Sequence, residues 1–191
     1  MAETLPEITE RLVEFIAKQR VFFVATAPTS LDGLVNLSPK GLDTFRVLGP
    51  TTVAYLDLTG SGIETISHLR DNGRICVMFC AFDGPAQIVR LHGRGEVLEA
   101  GEPAFEELYP RFTSRDIARA IIRVDVQRVA TSCGYAVPLM EYRRDRDVLD
   151  EYWERKSNEL LDYRRDRNRA SIDGLPGLRG EPVRPGAPAT G

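Results

Sequence analysis

The residues able to do chemistry fall in short polar islands between apolar runs. Thr59-Gly60-Ser61-Gly62 is one such island, placed between a strand-like and a helix-like run. A helix N-terminus offers free backbone N–H groups and a partial positive charge. Two hydroxyls and two glycines there suit a phosphate; they also suit a plain N-cap with turn glycines. A second island is Asn36-Leu37-Ser38-Pro39-Lys40-Gly41. Period two puts Asn36, Ser38 and Lys40 on one side of a strand. That row either lines a ligand groove or faces water on an edge, where Pro and Lys discourage stray pairing. Arg90 and His92 alternate with Val89 and Leu91, so they face solvent or a groove.

Other candidates read as structure. His68 lies on a short helical run and reads as a surface or satisfied histidine. Cys76 and Cys80 share one side of an apolar strand, Cys133 is distant, and the chain has two histidines. A four-ligand zinc site does not follow from that set, so no metal is expected. Tyr142-Arg143-Arg144-Asp145-Arg146 recurs as Tyr163-Arg164-Arg165-Asp166-Arg167. The interleaved acids favour a solvated face or a subunit contact over nucleic acid. There is no GxSxG elbow, P-loop, HExxH or Rossmann fingerprint, and no catalytic residue stands out.

Composition narrows the classes. With 25 basic and 28 acidic residues the net charge is −3, which gives no excess of positive charge for a polyanion. Three cysteines do not make a secreted disulfide framework. No signal-peptide order opens the chain, and no apolar run reaches the roughly 18 residues of a membrane span. The expectation is a cytoplasmic protein engaging neither membrane nor nucleic acid.

The elements that position these islands follow from periodicity. Ile8, Leu12, Phe15 and Ile16 recur at helical spacing. Strands are expected at Val21–Ala27, Leu34–Ser38, Thr44–Leu48, Thr51–Leu58, Arg74–Phe82 and Gln87–Glu99, with another around Ile122–Val126. Gly93 and Gly95 suggest a bulge or bend. Short helices are expected at Ile63–Asp71 and Pro103–Phe112, and a charged helical stretch follows Cys133-Gly134-Tyr135. From Asp173 onward five glycines and four prolines read as a flexible tail. The division is 1–131 as a β domain, 132–172 as a helical extension and 173–191 as a tail. Phe79, Phe82, Tyr152 and Trp153 either cover a subunit seam or fill the core.

Asn-Leu-Ser-Pro-Lys-Gly, Leu-Asp-Leu-Thr-Gly-Ser-Gly and the following Gly-Arg-Ile-Cys-Val-Met-Phe resemble the pyridoxamine 5'-phosphate oxidase-like family over roughly residues 7–131. The resemblance implies an α+β fold: a six- to seven-stranded antiparallel split β-barrel of the FMN-binding type. It implies FMN at a homodimer interface, with Asn36, Ser38 and Lys40 along the ring and ribityl chain. The strand carrying Phe45 and Val47 would lie nearby, Thr59, Gly60, Ser61 and Gly62 would hold the phosphate, and Arg90 would approach from a later strand. Ser61-Gly62-Ile63-Glu64 replaces the family's Ser-Arg-Lys, and the arginines for a substrate phosphate are not recognisable. The implied function is an FMN-dependent oxidoreductase of unknown substrate, with NAD(P)H as a donor. The alternative is a non-catalytic protein that binds flavin, a deazaflavin coenzyme or haem.

Overall fold

Apolar runs with a period of two become strands with one buried face. In the computed structural model, which describes residues 3–186, the strands are β1 (Glu3–Leu5), β2 (Phe22–Thr26), β3 (Asn36–Lys40) and β4 (Phe45–Gly49), then β5 (Thr52–Leu58), β6 (Arg74–Cys80), β7 (Ile88–Glu99) and β8 (Ala118–Ser132). All pairs are antiparallel, in the order β3-β2-β6-β7-β8-β5-β4, with β1 on β8 beside the β5 pairing. The count of eight exceeds the six or seven expected, because the N-terminal β1 adds to β8. No pairing joins β3 to β4 among the described residues.

The sheet nevertheless curls on itself. Phe45 of β4 lies 5.0 Å, ring centroid to centroid, from both Phe22 of β2 and Phe79 of β6. Phe22 also meets Tyr55 of β5 at 5.4 Å. A flat sheet would hold those strands far apart, so the rings pin a barrel split between β3 and β4. Gly93 permits the curl locally: the β7–β8 register shifts between His92 and Gly93, and a Cβ there would stand 2.0 Å from the Asp125 carbonyl oxygen.

Helix α1 (Glu10–Ala17) buries Leu12 and Ile16 against the barrel. Helix α2 (Glu64–Asn72) buries Ile66 and Leu69 and ends on Gly73 at φ 71°, the left-handed stop that glycine adopts without strain. Helix α3 (Pro103–Leu108) covers a second cluster through Phe105. Helices α4 (Val148–Arg155) and α5 (Leu160–Arg167) make a third cluster, where Trp153 and Leu160 pack on Ile117. Phe79 and Trp153 are therefore buried within one chain, not at a subunit seam.

The segment expected as a flexible tail is docked through residue 186, while residues 187–191 lie outside those described. Leu178 joins the main core. The buried Glu99 carboxylate accepts the backbone N–H groups of Arg179 and Gly180 at 2.8 and 3.2 Å, and pairs with Arg70. Glycine- and proline-rich composition argued against order; one leucine and one buried carboxylate overcome it. Arg164, expected on a solvated face, is also buried. Its Nε donates to Thr59 Oγ1 at 2.8 Å and its other nitrogens to the carbonyls of Val183, Asp116 and Ala118. Burial, with Arg119 and Arg184 nearby, pulls its pKa down to about 9, which leaves it charged at neutral pH.

A bulge sets one further charge inside. Asp57 faces Ala120 across β5–β8 and Leu58 faces Ala118, so Arg119 has no cross-strand partner. Bulges re-aim side chains, and Arg119 Nε meets Asp57 Oδ2 at 2.7 Å with both side chains buried. Burial alone would raise the Asp57 carboxyl; Arg119 and Lys40 together outweigh it and hold its pKa below 3.8. A lowered folded pKa contributes stability above the unfolded value that is lost as pH falls through the folded one. Asp57→Asn is expected to lower stability at neutral pH by about 3 kcal/mol and to shrink the loss on acidification, read by urea titration at several pH values. Leu178→Ala is expected to cost about 2–4 kcal/mol; an unchanged denaturation midpoint would mean that the C-terminal segment does not dock.

Candidate functional site

Residues directly opposite in an antiparallel pair share a face. Asn36, Ser38 and Lys40 stand opposite Thr26, Val24 and Phe22, whose side chains are buried. The polar row of β3 therefore points into the barrel, and Leu37, 65% exposed, points out. Of the two readings open from the sequence, the solvent edge is the one the structure rejects.

Polar partners meet this row across the split. Lys40 Nζ donates to Asp57 Oδ1 at 3.1 Å. Asn36 Nδ2 donates to Thr65 Oγ1 at 3.0 Å and to Thr26 Oγ1 at 3.3 Å. Between them, Ser38 Oγ and Tyr55 Oη are buried without a hydrogen-bond partner. Burial first, then the Asp57 charge, drive the Tyr55 pKa far up, against smaller opposing effects of Arg119 and Thr65. Tyr55 is thus a neutral phenol over the working pH range, able to donate a proton to a hydrogen bond. Buried polar groups are nearly always paired, so two orphan hydroxyls beside a cationic cluster mark this place as unusual.

The island at 59–62 divides. Thr59 is buried; its hydroxyl donates to the Ile117 carbonyl at 2.8 Å and accepts from Arg164. Its one proton is thus committed within the chain, which gives Thr59 a structural role here. The Gly60 carbonyl accepts from Arg119 Nη1 and Asn168 Nδ2, and the Gly62 carbonyl from Arg119 Nη2. With the Gly60 and Gly62 carbonyls turned inward, Ser61 and Gly62 lie exposed just before the α2 N-terminus, which has no side-chain cap. Glu64, in the first turn, accepts from the Ile172 N–H at 3.4 Å.

Three expected residues do not join this group. Phe45 and Val47 line a separate cavity of about 270 Å³ with Phe22, Phe79 and Arg20. Arg90 stands opposite Met78, which stands opposite Phe23 on the outward face; it donates to Ser132 Oγ at 3.1 Å. Barrel curvature, invisible to a period of two alone, separates these faces.

His68 is neither on the surface nor fully satisfied. It is completely buried, Nδ1 lies 3.0 Å from Thr26 Oγ1, and Nε2 has no partner. Burial lowers its pKa, against the raising effects of Asp173, Glu64 and Asp71. His92 is exposed on the outer face. Among the described residues no group of three His, Cys, Asp or Glu side chains is placed to hold a metal, and no helix is long and apolar enough to cross a membrane.

Sequence reasoning missed Tyr55, Asp57, Thr65 and Arg119. Two of them left a signal: Asp57 interrupts Leu56-Asp57-Leu58, and Arg119 interrupts Ile117-Ala118-Arg119-Ala120-Ile121. One acid and one base, each alone in an apolar run, invite pairing.

Comparison with known proteins is consistent with this geometry. The family model described as pyridoxamine 5'-phosphate oxidase matches residues 8–133. The pyridoxamine 5'-phosphate oxidase family protein ustO of Aspergillus flavus is 40% identical over 189 residues, covering 90% of this chain and 76% of the relative. A HupZ variant of Group A Streptococcus superposes with a TM-score of 0.51 at 24% identity, over 65% of this chain and 99% of that one. A candidate pyridoxamine 5'-phosphate oxidase from Lactobacillus delbrueckii gives 0.50 at 19%, over 65% and 94%. At those identities the two structures speak for the fold alone, a split barrel. Sequence match and relative together carry the assignment: the chain belongs to the pyridoxamine 5'-phosphate oxidase family.

Proposed function

We propose that this protein is an FMN-dependent oxidoreductase that works as a homodimer, with the flavin along β3 and its phosphate at the start of α2. The observation that carries the reading is the pair of buried, unpartnered hydroxyls, Ser38 Oγ and Tyr55 Oη, beside the Lys40–Asp57–Arg119 cluster. The donor set fits the group. Among the described residues β3 pairs on one side only, so its second edge leaves backbone groups free for the pyrimidine rim of a flavin, Pro39 offering a carbonyl but no N–H. Exposed Ser61 and Gly62 and the uncapped α2 N-terminus suit a dianion. The two cations and one carboxylate of the cluster leave a net positive charge, which favours an anionic reduced ring.

FMN, when bound, supplies the hydride chemistry. The chain's part is to bind and bias. Lys40 presents a cation to the ring's electron-rich edge, Ser38 and Tyr55 offer hydroxyl donors, and Ser61 with the backbone N–H groups of 61–64 holds the phosphate. Arg90, on the outward face, and Thr59, held by Arg164, lie outside this set. A small planar acceptor, with NAD(P)H as donor, suits the site; a bound deazaflavin is the nearest variant of the same reading. Working inside the cell fits the composition.

The second subunit is supported by the outer face of β3 and its approach. Leu34, Val35 and Leu37 are 57%, 74% and 65% exposed beside half-buried Phe23 and Met78, a contiguous apolar patch of the kind that marks an interface.

Three outcomes are expected. The purified protein releases FMN on denaturation, identified by mass spectrometry, and its yellow colour bleaches with NAD(P)H; a colourless protein that takes up no FMN contradicts the reading. Ser61→Ala weakens FMN binding by about 10- to 150-fold, as loss of one hydrogen bond to a charged group would, whereas Thr59→Val lowers thermal stability without a comparable loss of affinity. Leu37→Glu converts a dimer to a monomer by light scattering and reduces FMN uptake; a wild-type monomer with full uptake removes the partner from the site.

A further inference from the structure

A buried guanidinium is costly to desolvate and persists where several acceptors replace its water. Arg119 has three: Asp57 Oδ2 at 2.7 Å, the Gly60 carbonyl at 3.1 Å and the Gly62 carbonyl at 2.5 Å. The other oxygen of Asp57 takes Lys40 Nζ at 3.1 Å. One buried line of charge thus runs from the loop before α2 to the polar row of β3. Arg119 itself reaches inward because the β5–β8 bulge leaves it without a cross-strand partner. A barrel needing only packing here would be served by apolar side chains, as at neighbouring Ala118, Ala120 and Ile121.

We propose that Arg119 and Asp57 are positioning residues for the cofactor site: Arg119 turns the carbonyls of Gly60 and Gly62 inward so that the loop's N–H groups face the phosphate, and Asp57 fixes the Lys40 ammonium beside the ring while moderating its charge. This rests on the flavin reading. Neither residue touches the cofactor; each acts through another group. A peptide has its N–H opposite its C=O, so holding the Gly60 and Gly62 carbonyls from below directs the N–H groups of Ser61 and Ile63 the other way. The two residues act on the ring with opposite sign. Without the Asp57 charge the cluster becomes more positive and favours the anionic reduced ring. Without the Arg119 charge it becomes less positive and disfavours it.

The test titrates oxidised and reduced FMN into the full chain, comparing wild type with Asp57→Asn and Arg119→Gln. The ratio of reduced to oxidised affinity is expected to rise in Asp57→Asn and to fall in Arg119→Gln, each by about tenfold, a usual size for coupling within one site. Shifts of the same sign, or none, overturn the proposal, because a purely structural role weakens both forms alike. A second readout needs no flavin: acetylation of Lys40 by acetic anhydride, followed by mass spectrometry. Loss of the Asp57 tether is expected to speed it severalfold, and an unchanged rate overturns the positioning role. A wild type that takes up no FMN removes the flavin reading, and the Lys40 rate then decides alone whether Asp57 holds that side chain. Where Asp57→Asn does not fold, Arg119→Lys keeps the charge and gives up the paired carbonyl contacts. It is expected to bind FMN more weakly with an unchanged affinity ratio; unaltered binding overturns the loop-setting role.

Discussion

A carboxylate cannot stay charged inside a barrel unless cations replace the water it loses. Asp57 is 1% exposed, and much of the local architecture serves that requirement. One cation comes from β3, which among the described residues pairs with β2 alone. The other comes from a bulge in β8 and also grips the loop ahead of α2. Lys40–Asp57 and Asn36–Thr65 together bridge the open side of the barrel with side chains, where backbone pairing has stopped. The split is thus polar, and its two orphan hydroxyls give it chemical character.

A second layer of constraint comes from outside the barrel. The C-terminal extension approaches the same loop from its other side. Trp153 Nε1 donates to the Thr59 carbonyl at 3.2 Å, Arg164 to the Thr59 hydroxyl, and Asn168 to the Gly60 carbonyl. Arg119 below and these three beyond leave Ser61 and Gly62 as the exposed part of the turn. The loop's conformation therefore depends on residues from β8, α4 and α5 and the segment after it, and the extension belongs to the site's support.

Much of the barrel was legible from alternation. Phe22–Thr26, Thr52–Leu58 and Arg74–Cys80 fell inside their expected ranges, because each buries one face or both and is spelled in apolar and aromatic residues. β1 was not legible: three residues carry too little periodicity, and its place is set by β8. Nor was the docking of Leu178 and Glu99, since composition averages over a segment while one buried leucine and one carboxylate anchor it. At the site, the row Asn36, Ser38, Lys40 was legible as a row, and its inward direction was not, because a polar row fits either side of an edge strand. Phe45 and Arg90 stand apart from that row for different reasons: the curl of the sheet sets Phe45 against Phe22 and Phe79, and Arg90 lies on the outward face. Alternation tells which residues share a strand's face; only curvature tells which faces of distant strands meet. The engagement of Thr59 was not legible because its partner, Arg164, lies 105 residues away.

The most direct measurement is a crystal structure of the protein grown with FMN. The expected result is the ring along β3 within hydrogen-bond reach of Lys40, the phosphate on Ser61 and Gly62, and Arg119 still joining Asp57 to the two loop carbonyls. A flavin seated on the outer face beside Arg90, or in the cavity lined by Phe45 and Val47, with the Lys40–Asp57–Arg119 cluster uninvolved, would contradict it.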